Sequence, residues 1–72
     1  MATPFFKSSE AAVAFGVHAN FDQVRILKAL RNLYLQAAKS FPTGASIEEL
    51  ETALFFATQA QFMREALESV KA

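Results

Sequence analysis

The chain has no cysteine and no tryptophan, and it holds one histidine, one tyrosine, two glycines and two prolines in 72 residues. Without cysteine there is no disulfide framework, and a single histidine cannot supply a zinc cluster. The two glycines, Gly16 and Gly44, fall in separate turns, so no glycine-rich phosphate loop exists. Charge is sparse at 19% of residues, and seven basic groups cancel seven acidic ones. That balance leaves no whole-chain field to draw the protein to nucleic acid or an anionic membrane. Long apolar runs are missing as well. Residues 52–63 are free of charge but number only 12 and include two Thr and two Gln, far short of a bilayer span. The apolar run at 11–17 follows Glu10 and has Lys7 as its one upstream basic residue, a poor match to a signal peptide. A cytoplasmic location is expected, with no membrane partner.

What is present is apolar: 53% of residues, eight of them Phe. A chain this short buries a smaller fraction of its surface than a larger domain does. Ordering it costs on the order of 100 kcal/mol, which small chains offset with disulfides, metals or partner subunits. The first two are excluded by composition, so association is the remaining route.

Prolines and glycines punctuate the sequence into three segments of helical periodicity, with no period-two alternation. The expected fold is all-α, a single domain made of a long antiparallel helical hairpin and a short N-terminal helix, completed by oligomerisation. The short helix is expected at 4–15. It opens at Thr3-Pro4, or alternatively at Ser8 or Ser9, and Gly16 closes it in the left-handed conformation. The second helix is expected at 20–41 with Asn20 as N-cap, ending before the Pro42 and Gly44 turn. Its main apolar face comprises Ile26, Leu27, Leu30, Leu33, Tyr34, Ala37 and Phe41, extended by Val24 and Leu35. This arc covers about 200°, and one antiparallel neighbour needs about half of that.

The third helix is expected at 46–71, starting in a capping box of Ser46 and Glu49, with Glu48, Glu49 and Glu51 at the positive end of the helix dipole. Its apolar face changes sides near residue 57. Ile47, Leu50, Ala53, Leu54 and Ala57 share one side, whereas Phe55, Phe56, Phe62, Met63, Ala66, Leu67 and Val70 lie about half a turn away. One continuous helix therefore offers two apolar surfaces, and a single hairpin partner covers one. Aromatic and Met side chains favour interfaces, so Phe55, Phe56, Phe62, Met63 and Val70, with Val24 and Leu35, are the expected partner contacts. Phe15, Phe21 and Phe41 adjoin turns and are expected to staple helix ends as core. Residues 20–45 hold four basic groups against one acid, and residues 46–72 two against five, which favours pairing of the long helices.

Chemistry-bearing residues are few. His18 stands in a turn with Asp22 four residues on, too little for a metal site. The hydroxyls of Ser8, Ser9, Ser40 and Ser46 lack a base held against them in sequence, and Glu48, Glu49 and Glu51 are accounted for by the helix start. The expectation is a non-enzymatic protein without cofactor, acting as an adaptor or regulator of a larger protein or as a self-assembling subunit.

The main rival rests on residues 11–17, Ala-Ala-Val-Ala-Phe-Gly-Val, which resemble the first helix and turn of a helix-turn-helix module, with Ala12 four residues before Gly16. The resemblance implies a DNA-binding transcriptional regulator, with Arg25, Lys28, Arg31 and Lys39 as phosphate contacts. It covers about seven residues. The buried positions of that family's second helix fall on Asp22 and Arg25, one place out of register with Phe21 and Val24.

Overall fold

A computed structural model describes residues 5–71, which form three helices: α1 (Ser9–Val17), α2 (Phe21–Lys39) and α3 (Ile47–Glu68). Among the described residues there is no strand. The all-α expectation stands.

Local chemistry sets most helix ends. The Asn20 side chain accepts from the Gln23 N–H, and the Gln23 side chain accepts from the Asn20 N–H, both at 2.8 Å. Ser46 and Glu49 form the same reciprocal box at 3.2 Å. Each box satisfies two backbone donors that a helix start otherwise leaves free. The C-terminal ends come earlier than the apolar pattern suggests. The Ser40 hydroxyl donates to the Ala37 carbonyl at 2.8 Å, and the Ser69 hydroxyl to the Glu65 carbonyl at 2.9 Å. α2 ends at Lys39 and α3 at Glu68, short of the expected 41 and 71.

The first helix departs more from expectation. Thr3 and Pro4 lie outside the described residues, and Phe5 and Phe6 are not helical. The alternative start is the observed one: Ser8 caps α1 by accepting from the Ala11 N–H at 3.1 Å. Gly16 does not close the helix in the left-handed region. It lies inside α1, and among the described residues Gly44, at φ 85°, is the glycine with positive φ.

The reason for Gly16 is packing. A Cβ there would fall on the Ala66 backbone carbonyl, 2.7 Å from its carbon. Ala12, one turn earlier, and Ala66 are fully buried. Small residues thus let the backbones of α1 and α3 come close, while α1 barely touches α2. The Ser9 hydroxyl donates to the Glu65 carboxylate at 2.8 Å across the same seam.

One core cluster joins Leu27, Leu30 and Tyr34 of α2 to Ala60, Met63 and Ala66 of α3, with Ala12 of α1 at its edge. Leu27 and Met63 are its largest fully buried side chains, each stabilising the fold by about 1.5–3 kcal/mol on area grounds. The molecule is nonetheless elongated. Its radius of gyration is 13.0 Å, where a compact chain of this length has about 11 Å.

Candidate interaction surface

The buried side of α2 is narrower than its apolar arc. Leu27, Leu30 and Tyr34 face α3, but Ile26 and Leu33, about 100° around the helix, remain 52% and 58% exposed. Two apolar hollows border α2. One, of about 390 Å³, is lined by Phe5, Leu33, Tyr34, Ala37, Phe55 and Phe56. The other, of about 210 Å³, is lined by Phe6, Phe15, Gln23, Ile26, Leu27, Leu30 and Met63.

Phe5 lines the first hollow and Phe6 the second. Gln59, buried on α3, accepts from the Phe6 N–H and donates to the Phe6 carbonyl, both at 2.9 Å. This two-point clamp satisfies a backbone donor and acceptor that α1 does not use. It lays the Phe5 ring against Phe55 at 6.2 Å and the Phe6 ring against Phe15 at 5.4 Å. Gln59 carries no signal in the sequence, because an uncharged polar residue in an apolar stretch reads as solvent-facing until its distant partner is known.

The seven expected partner contacts divide. Phe55 is exposed, its ring edge-on to Phe56 at 5.8 Å. Phe56 is half-buried and stacks on Tyr34 at 6.0 Å, with Phe41 at 6.4 Å. Phe62 is half-buried against the core, as is Leu35, and Val24 and Val70 are half-buried. Met63 requires a correction: at 1% exposure it is core of the single chain, because the Phe56, Met63 and Leu67 side of α3 is the side that α2 covers.

The side of α3 left bare is the other one. Ile47, Leu50 and Leu54 are 75%, 56% and 67% exposed and form a ridge at spacings of three and four. Phe21 also departs from expectation. It is 78% exposed at the start of α2 and staples nothing, whereas Phe41 does pack. Periodicity in the sequence places Ile47, Leu50 and Leu54 on one face. It does not say which of the two faces of α3 receives α2.

Arg25, Lys28 and Lys39 are exposed, and Arg31 binds the side chain of Asn32 at 3.3 Å. Among the described residues no ion pair joins the cations of α2 to the glutamates of α3. Arg25, with Asp22, Ile26 and Ala29, lines a further shallow hollow of about 370 Å³ on the outer rim of α2.

The hydroxyls of Ser8, Ser9, Ser40 and Ser46 are all engaged in caps or in the bond to Glu65. Among the described residues no three His, Asp or Glu side chains converge, and no helix is long and apolar enough to cross a membrane. Gly16, which the helix-turn-helix resemblance puts in a turn, sits inside α1, and α1 packs on α3 instead of on the helix that follows it. No protein-family model matches the chain, nor does any curated protein or solved structure.

Proposed function

We propose that the protein is non-enzymatic and works by protein–protein association, with α2 and α3 as an antiparallel hairpin that offers its uncovered apolar surface to another subunit. The observation that carries this reading is the bare ridge of Ile47, Leu50 and Leu54, each more than half exposed on a helix whose other side holds the buried Ala60, Met63 and Ala66. Monomers seldom keep contiguous apolar patches of this kind facing water. The apolar hollows beside α2 add to that surface, and zero net charge weakens the repulsion that keeps small proteins apart.

Sedimentation velocity across a concentration series tests the reading. A defined large species is the outcome for a self-assembling subunit, and a small oligomer for an adaptor of another protein. A chain that stays a stable monomer at tens of micromolar overturns it. Met63→Glu serves as the internal control: because Met63 is core, this change unfolds the chain outright, whatever its effect on assembly.

A further inference from the structure

We infer that the hollow of about 210 Å³ between α1 and α2 is a binding site for a small neutral molecule, about one aromatic ring in size, that carries a hydrogen-bond acceptor at one end. The inference does not depend on the association reading above.

The seam between α1 and α3 creates the hollow. Gly16 lets α1 settle on the Ala66 backbone, and α1 barely touches α2, so a gap is left between α1 and α2 over the core. Its floor is Leu27, Leu30 and Met63, none more than 9% exposed. Phe15 forms the α1 side, and Phe6 packs edge-on against it at 5.4 Å. Because the Gln59 clamp holds the Phe6 backbone at two points, this wall stands before any ligand arrives. The larger hollow differs in kind. Three of its lining side chains, Phe5, Leu33 and Phe55, are each at least 45% exposed, which makes it an open depression in the surface.

Size and lining define what fits. An apolar cavity of about 150 Å³ stays dry and takes up benzene, so about 210 Å³ suits roughly eight or nine non-hydrogen atoms. Water is a poor occupant, since a buried water needs about two to four polar partners and the lining offers one polar side chain. No lining residue is ionisable, so a charged ligand would lose hydration with nothing to pair it.

That one polar side chain, Gln23, supplies the handle. Its Oε1 accepts from the Asn20 N–H at 2.8 Å in the capping box, which commits the carbonyl side of the amide. Among the described residues its Nε2 has no partner. Two spare N–H donors beside an apolar hollow select a ligand whose polar end accepts, such as a carbonyl, ether or hydroxyl oxygen.

Nuclear magnetic resonance titration of the full chain with three probes of similar size tests this. Acetophenone has ring and carbonyl, ethylbenzene the ring without an acceptor, and benzoate a charge. Acetophenone is expected to bind saturably, with Kd on the order of 0.1–1 mM for so small a ligand. Its ring should give nuclear Overhauser contacts to the methyl groups of Leu27, Leu30 and Met63, and it should shift the Gln23 side-chain amide protons, which ethylbenzene leaves in place. Benzoate should bind at least about tenfold more weakly than acetophenone.

Gln23→Glu keeps an acceptor for the Asn20 N–H, and with it the cap, but has no amide donor. In the folded variant, checked by circular dichroism, the affinity ratio of acetophenone to ethylbenzene should fall about 3–10-fold, the worth of one hydrogen bond. An unchanged ratio overturns the inference. So does a wild type in which acetophenone fails to saturate, touches only Phe5, Leu33 and Phe55, leaves the Gln23 amide unshifted, or binds no better than benzoate. These wild-type readings decide the matter even if the variant loses its helicity.

Discussion

Gly16 and Ala66 are the point of closest approach between α1 and α3: the Ala66 carbonyl occupies the place of the side chain that Gly16 lacks. That contact holds α1 on α3 together with the Ser9 bond to Glu65 and the Gln59 clamp on Phe6, while α1 has little hold on α2. Phe5 lines one of the hollows beside α2, and Phe6 and Phe15 the other.

Gly16→Ala should therefore destabilise the fold by about 1–3 kcal/mol, as overpacking against backbone does. For a chain of this size each kcal/mol lowers Tm by about 4–8 °C. Gly44→Ala is the comparison. There the new methyl group meets open space and only the φ of 85° is strained, so a smaller loss of about 1–2 kcal/mol is expected. A thermal melt in which Gly16→Ala is no worse than Gly44→Ala contradicts the close approach.

Gln59→Leu removes both bonds to the Phe6 backbone while keeping an apolar side chain in the buried site. Residues 5–8 should then swing free, their polar groups turning to water, at a cost of about 1–3 kcal/mol. Hydrogen exchange at the Phe6 amide is the sensitive readout. It should accelerate strongly, with the α2 amides far less affected.

Ser46→Ala and Asn20→Ala each break a capping box and should cost about 1 kcal/mol. The two sites start different helices and share no partner, so the double variant should show the sum in urea unfolding. A marked departure from the sum would mean that the two starts are coupled.

Tyr34 offers a pH test. Burial raises its phenol above the ordinary 10.0, because the phenolate loses hydration. The unfolded chain then gives up the proton first as pH rises, so the contribution of Tyr34 to stability is constant below about pH 10 and is lost above it. With one tyrosine and no tryptophan in the chain, phenolate absorbance belongs to Tyr34 alone. Its midpoint should lie above 10.0 and coincide with loss of helicity. A titration at or below 10.0 in the folded chain contradicts the burial of Tyr34.

Helix starts at Asn20 and Ser46 were legible because a capping box is built from residues three apart, and the information is local. The start of the first helix is open in the sequence between Thr3 and Ser8, since both carry a capping hydroxyl. The choice fell to Gln59, more than fifty residues away, which takes the Phe6 backbone out of any helix. Gly16 is ambiguous in the sequence for a related reason. A glycine near a helix end signals a left-handed cap as readily as a close backbone approach, and only the neighbour distinguishes them.

The interface residues divide along the same line. Periodicity by itself determined that three helices form and that α3 has two apolar sides, because the angle between side chains on a helix is fixed by backbone geometry. It did not determine which side meets α2. That was decided by tertiary packing, in which Met63 and Phe56 fill the space against Leu27, Leu30 and Tyr34, Ala66 admits Gly16, and Ile47, Leu50 and Leu54 are left facing outward. Burial depends on what lies opposite a side chain, and that is a property of the assembled helices, absent from any one of them.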